Sequence, residues 1–292
     1  MNIALYCRTI SEDDIPVLQK ILDVLAAKNI GVFVYKDFFE GIWKEIKTRS
    51  GVSTFATHED IKDKADYMFS LGGDGTLLDT LTFVRNKNIP ILGINIGRLG
   101  FLANIGKDEI EPAIDALESA SFVLDKRTLL ELQSNKPLFG EVNYALNDVT
   151  IHKKDTSAMI VIHTYINGEY LNSYFADGLI VSTPTGSTGY SLSCGGPIVI
   201  PTSENFVITP IAPHNLNVRP IVVSDSSVIS FEIEGRHENF FCTLDSRTEA
   251  IDTSFQLAVK KGSFTLNLVR LSDHHFLEKL RKKLMWGADV RK

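Results

Sequence analysis

The hydrophobic pattern of this chain changes period near residue 125, and that switch limits the possible folds more than any other feature. Before it, short and continuously apolar runs read as strands: "NIALYC" (2 to 7), "GVFVY" (31 to 35), "DYMFSL" (66 to 71) and "IPILGIN" (89 to 95). Helical stretches separate them. Ser11 is placed to cap a helix whose Ile15, Leu18, Leu22 and Leu25 share one face, and "NIG" closes it. "FEGIWKEIKTR" and "TLLDTLTFVRNKN" (76 to 88) read as two further helices. Strands that lack polar alternation and are spaced by helices predict a parallel sheet with covered faces.

From about 126 onward, turn signals come at short spacing. Runs such as "MIVIHTYI" and "VISFEIE" are rich in β-branched and aromatic residues, which is β architecture. "YINGEY" (165 to 170) sets Asn-Gly between two such runs and predicts a hairpin. Helical spacing returns in "DHHFLEKLRKKLMW" (273 to 286), through Phe276, Leu277, Leu280 and Leu284. The expected organisation is an α/β domain over 1 to 125 with a parallel sheet, a β-rich, sandwich-like domain over 126 to 270, and a final helix over 271 to 292 returning to the first domain.

Charge and cysteine usage narrow the function classes. The net charge of −6 argues against broad affinity for nucleic acid, so an anionic ligand must be held by local groups. No apolar run approaches the ~18 residues of a membrane helix, and the start lacks a signal-peptide pattern. Cys7, Cys194 and Cys242 are far apart and fit no metal spacing. Free thiols in a cytoplasmic protein are the expectation.

Two glycine-rich stretches carry the chemistry. "SLGGDGTLLDT" (70 to 80) ends a strand on almost no side chain, with one carboxylate at Asp74. It is either a tight turn or a loop whose exposed N–H groups receive a phosphate at a helix start. "ADGLIVSTPTGSTGYSLSCGGPIV" (176 to 199) packs glycines, prolines and hydroxyl-bearing residues around the strand "LIVS". Hydroxyls, free N–H groups and close backbone approach suit a polyhydroxylated, phosphorylated ligand; a hydroxyl-rich loop between strands is the bland alternative.

Together the motifs resemble the NAD kinase family, which phosphorylates the adenosine 2′-hydroxyl of NAD. "GGDGT" (72 to 76) matches the first family motif and "ALND" (145 to 148) the second, which usually reads Asn-Glu. "DGLIVSTPTGSTGYSLSCGGP" (177 to 197) matches the third nearly throughout, and "IAPHNLNVRPIVV" (211 to 223) a fourth. Phosphofructokinases and diacylglycerol-type lipid kinases share "GGDGT" but not the third motif.

The resemblance implies roles for particular residues. Asp74 matches the proposed general base, with Gly75 beside the ligand; Mg²⁺ binding is the other role open to Asp74. Asn147 and Asp148 match the pair at the adenosine end of NAD, with Asp148 one methylene shorter than the usual Glu. Asp177 matches the aspartate facing the nicotinamide end. Thr188, Gly189, Tyr190, Ser191, Leu192 and Ser193 match the run along ribose and adenine, where the family often has Ala in place of Gly189. Ala212 matches a backbone contact. The implied substrates are NAD and ATP, with Mg²⁺ or another divalent cation carried mainly by ATP, in a homodimer or homotetramer with neither nucleic acid nor membrane as partner.

Two positions depart from the family. Phe175 stands where many members have Arg, and Ala158 where some have His. Pyrophosphate contacts then fall to Lys153, Lys154 or Arg247, each otherwise a surface charge. Arg98 and Phe101 either edge the adenine pocket or pack in a core. The basic "KLRKK" (279 to 283) reads as a solvated helix face. A lipid or sugar kinase sharing "GGDGT" and a non-catalytic dinucleotide sensor are the alternative functions.

Overall fold

The computed structural model describes residues 1–42, 45–47, 52–97, 100–154, 159–235, 240–272 and 275–285. Arg98, Ala158, His274 and part of the expected helix over 39 to 49 lie outside the described residues. The chain divides into two compact units, Met1–Lys126 with Asn267–Lys292, and Arg127–Leu266.

The first unit is built on parallel strands β1 (Asn2–Tyr6), β2 (Gly31–Tyr35), β3 (Val52–Phe55), β4 (Tyr67–Gly72) and β5 (Ile91–Asn95). Their order is β5-β4-β1-β2-β3, and Leu268 of a later strand pairs in parallel with Ile91 of β5. Helices α1 (Ile15–Ala27), α2 (Lys36–Ile42), α3 (His58–Ile61), α4 (Asp74–Val84) and α5 (Ile110–Glu118) complete this part of the chain. Successive strand side chains point to opposite faces. Ile3, Leu5, Phe69, Leu71, Leu92 and Ile94 accordingly pack with Leu18, Leu22, Ile114 and Leu117 of α1 and α5. On the other face Tyr6 meets Phe83 of α4 at 5.1 Å between ring centroids. Every residue of β5 is buried, as a strand covered on both faces requires.

Local chemistry moves several helix ends from where the periodicity predicts them. Ser11 does not cap α1: its hydroxyl donates to Asp14 at 2.7 Å beside a 3₁₀ turn over Glu12–Asp14. Pro16, in the first turn of α1, supplies a pre-set helical φ. Helix α4 begins at Asp74 and stops at Val84, before Arg85 turns left-handed at φ 46°.

The second unit is antiparallel. Strands β6 (Val123–Ser134), β7 (Tyr144–Ala145), β8 (Asp148–Lys153), β9 (Ile160–Ile166), β10 (Glu169–Ala176), β11 (Gly178–Ser182), β12 (Asn205–Ile211), β13 (Ile221–Ser224), β14 (Ile229–Glu234), β15 (Phe240–Leu244), β16 (Arg247–Ile251) and β17 (Leu257–Arg270) supply two sheets. One runs β13-β12-β11-β8-β15-β16 and the other β10-β9-β14-β17, with β6 paired to β17 and β7 to β6. Side chains of both sheets share one core, among them Val149, Ile151, Val181 and Cys242 from the first and Ile160, Ile162, Phe231 and Val259 from the second. This is a sandwich. Asn167 and Gly168 both take positive φ between β9 and β10, the geometry that an Asn-Gly hairpin turn needs.

The third motif forms a 3₁₀ turn (Gly186–Thr188) and the short helix α6 (Tyr190–Ser193) behind β11. Near the end of the chain, α7 (Phe276–Leu284) belongs to the first unit. Among the described residues no helix is long and apolar enough to cross a membrane.

Candidate functional site

Asp74 is the first residue of α4, directly after the exposed and extended Gly73. Its carboxylate accepts three consecutive backbone N–H groups: Phe101 at 2.8 Å on Oδ2, then Leu102 at 2.9 Å and Ala103 at 3.0 Å on Oδ1. An ionised carboxyl offers about four acceptor positions, so one lone-pair direction stays open. The segment after β5 is thereby tied to the start of α4. Gly75 is exposed, and a Cβ built on it would meet nothing within 4 Å.

Lys283 of α7 reaches the same group. Its Nζ lies 3.9 Å from Asp74 Oδ2 and 4.8 Å from the centroid of the Phe101 ring. Phe101 packs in turn on Phe276 at 6.4 Å between centroids. The solvated face expected for "KLRKK" holds for Arg281, Lys282 and Lys283, all exposed; Lys282 pairs with Glu278 at 2.8 Å, while Lys283 leans toward Asp74.

In the second unit the Asn147 turn is held by a residue that sequence reasoning passed over. Asp245 sits at the tip between β15 and β16 with φ 54°. Its buried carboxylate accepts the N–H groups of Leu146 at 2.8 Å, Asn147 at 2.7 Å and Asp148 at 3.2 Å. A lone Asp in "LDSRTEA" carries no local signal for this; only the pairing of β15 with β8 brings it beneath the turn. Burial pushes the Asp245 carboxyl upward, opposed by the three amides and by Arg247. Arg247 itself donates to the carbonyls of Val142 and Tyr144, so its guanidinium holds backbone.

Asp148 is buried beside this anchor and accepts the Thr150 hydroxyl at 2.9 Å. Burial first, then the Asp245 charge, raises its carboxyl to about 7. Asn147 Oδ1 is buried, and among the described residues it has no hydrogen-bond partner. An orphaned acceptor of this kind is uncommon in a folded protein and leaves this oxygen available to a ligand donor.

The third motif packs on the second through backbone. Thr183 donates its N–H to Asn147 O at 2.9 Å and its hydroxyl to Leu146 O at 2.6 Å. Gly186 passes so near that a Cβ there would stand 2.1 Å from Asn147 O. A Cβ on Gly189 would lie 3.7 Å from Asn147 Nδ2. Tyr190 is 48% exposed, and its hydroxyl is pushed up by partial burial and by the charges of Cys194, Asp148 and Asp177.

The remaining positions differ in what they offer. Asp177 is ion-paired to Lys153 at 2.6 Å. Lys154 lies 5.9 Å from the Phe241 ring centroid. The hydroxyl of Ser191 is buried against Thr209 at 2.8 Å, and that of Thr188 donates to Thr185 O at 3.3 Å. Leu192 is half-buried and Ser193 exposed. Ala212 is exposed just past β12 with φ 43°, a conformation costing on the order of 1 kcal/mol for a residue with a Cβ. Asp74 and Gly75 lie in the first unit and the others in the second. Among the described residues no group of three or more His, Cys, Asp or Glu is placed to hold a metal ion.

Comparison with known proteins is consistent along the whole chain. Residues 3–122 match the model of the ATP-NAD kinase N-terminal domain, and residues 146–271 that of the ATP-NAD kinase C-terminal domain. The NAD kinase of Cytophaga hutchinsonii is 51% identical over 292 residues, covering 100% of both chains, and that of Flavobacterium psychrophilum is 43% identical with the same coverage. Two crystal structures share the fold at 24% identity. Yeast NADH kinase, solved with NADH, has a TM-score of 0.90 and is matched over 100% of this chain and 89% of that one. The NAD kinase of Archaeoglobus fulgidus, solved with ATP, has a TM-score of 0.74 over 98% of this chain and 99% of that one. With both domain models in order and relatives of this identity over its full length, the chain belongs to the NAD kinase family and is a phosphotransferase.

Proposed function

We propose that the chain transfers the γ-phosphoryl group of ATP to the adenosine 2′-hydroxyl of NAD, forming NADP. The observation that carries this reading is the orphaned Asn147 Oδ1 next to the buried Asp148. A buried acceptor asks for an N–H donor such as an exocyclic amine of a base. Adenosine supplies that amine together with hydroxyls for the carboxylates. The full-length relative named NAD kinase and the neighbours solved with NADH and with ATP support the same ligands.

In this mechanism Asn147 and Asp148 hold the adenosine end and Asp177 the nicotinamide end. Thr188, Gly189, Tyr190, Ser191, Leu192 and Ser193 line the ribose and adenine, and Ala212 contributes backbone. Asp74 takes the proton of the 2′-hydroxyl on its open lone pair as the O2′–Pγ bond forms and the bond to the ADP oxygen breaks. The amides of residues 101 to 103 fix that carboxylate in place. Phosphoryl transfer asks mainly for such positioning. Mg²⁺ enters with the substrate as MgATP. The chain works as a homodimer or homotetramer in the cytoplasm, where its three free thiols suit a reducing setting.

The test is regiochemical. Protein given NAD and MgATP should form a product that an NADP-specific dehydrogenase reduces, and NADP should not be phosphorylated further. NAD lacking only the adenosine 2′-hydroxyl should bind, because one lost hydrogen bond costs about 0.5–1.5 kcal/mol, yet give no product. Product from that analogue would mean that the acceptor is another hydroxyl, and no product from NAD would favour a sensor.

A further inference from the structure

We propose that Lys283, delivered by the C-terminal helix, contacts the phosphoryl group in transit; this rests on the reaction proposed above. The helix has one reason to pack where it does and another to carry this residue. Leu280 is buried and Phe276 meets Phe101, which seats α7 on the first unit. Lys282 then turns to Glu278 on the helix surface, while Lys283 lies over the Phe101 ring.

The Lys283–Asp74 pair is a poor stabilising device. At 3.9 Å it is too long for a hydrogen bond, and the Lys283 side chain is 34% exposed, where an ion pair contributes little. Asp74 has no need of it, because Oδ2 already accepts the Phe101 N–H and Oδ1 two more. Among the described residues Lys283 Nζ makes no hydrogen bond, so its three donors are available. An aromatic face and a carboxylate hold the ammonium without consuming its N–H groups.

The reacting phosphorus must come close to this ammonium. The oxygen that attacks it gives its proton to Asp74, so phosphorus lies within a few ångströms of the Asp74 carboxylate. An ammonium 3.9 Å from that carboxylate can reach an equatorial oxygen of the transferring group. Charge collects on those oxygens in the loose transition state, and a fixed cation there binds the transition state more tightly than the ground state. Lys283 neither gains nor loses a proton. The O2′–Pγ bond forms, the bond to the ADP oxygen breaks, and the proton goes to Asp74.

The experiment uses the full chain as wild type, Lys283→Gln, Lys283→Arg and, as control, Lys282→Gln. Lys283→Gln should lower kcat about 10²- to 10³-fold, the order seen for one preorganised electrostatic donor, with KM for NAD and the thermal midpoint unchanged. Lys283→Arg should recover part of the loss, and Lys282→Gln should match wild type. A Lys283→Gln enzyme with wild-type kcat overturns the proposal. So does a loss that tracks a lowered melting midpoint and a raised KM for NAD, which would mark a role in folding. If wild type itself makes no NADP, the reading on which the proposal rests fails, and the proposed role of Lys283 falls with it.

Discussion

Asp74 and Asp245 use the same device: each carboxylate gathers three consecutive backbone N–H donors, one from residues 101 to 103 and one from residues 146 to 148. A carboxylate is suited to this because it accepts on both oxygens and donates nothing. Asp74→Asn removes the proposed base and turns an NH₂ toward one of those donors. Turnover should fall about 10²- to 10⁴-fold, and hydrogen exchange at residues 101 to 103 should quicken. A variant keeping more than a third of wild-type turnover would remove Asp74 from the mechanism. Asp148 predicts a pH effect of definite sign. Its folded carboxyl is raised to about 7 by burial and by Asp245, against about 3.9 in the unfolded chain. Below about pH 4 both states are protonated and nothing is lost. Between about 4 and 7 the unfolded chain ionises first, so stability declines as pH rises, by a total of about 4 kcal/mol that is complete above pH 7. Asp148→Asn abolishes that penalty while leaving an acceptor for Thr150. Its melting midpoint should therefore exceed wild type by more at pH 8 than at pH 5, and a gap that does not change with pH would show that Asp148 does not titrate in this range.

At the scale of elements, two glycines in the motifs serve different ends, and alanine separates them. Gly186 passes against Asn147 O, where a Cβ would stand at 2.1 Å. Gly186→Ala should therefore lower the melting midpoint and weaken NAD binding together. Gly75 faces open space in the first turn of α4, so Ala there gains roughly 0.5–1 kcal/mol of helix propensity. Gly75→Ala should melt higher than wild type and still show a raised KM, because in the proposed reaction Gly75 stands beside the ligand. Unchanged kinetics would return Gly75 to the role of a turn residue. These motifs were legible in the sequence because glycine and hydroxyl patterns are local, and β5 because a strand covered on both faces is a continuous apolar run. The edge strand β3 was not: Val52–Phe55 offers too few apolar residues to show a period. Helix α5 does carry helical spacing, through Ile110, Ala113, Ile114 and Leu117, which a reading centred on strands and glycine loops passes by. Asp245 and Lys283 owe their places to β-pairing and to helix packing with residues about 100 or more positions away, and no window along the chain contains both partners.

For the whole molecule, the pattern switch near 125 conveyed the two kinds of architecture, because period-2 and period-3.6 burial are properties of whole segments. What it could not convey is how either unit meets another chain. Exposed large apolar side chains in the second unit include Tyr170 and Phe175 on β10, Val222 on β13, and Leu216, which is 85% exposed. Strands β10 and β13 each end the order of their sheet, and His214 donates its N–H to Phe175 O at 2.8 Å, which ties the loop bearing Leu216 to β10. An open strand edge flanked by exposed apolar groups is a surface that favours association. Self-association should therefore run through this face. The chain should sediment as a dimer or larger, and Leu216→Asp should shift it toward monomer with its circular dichroism unchanged, because a side chain so exposed contributes little to the fold of its own unit. Sedimentation of wild type as a monomer would refute self-association, and an unshifted Leu216→Asp variant would move the interface to another surface.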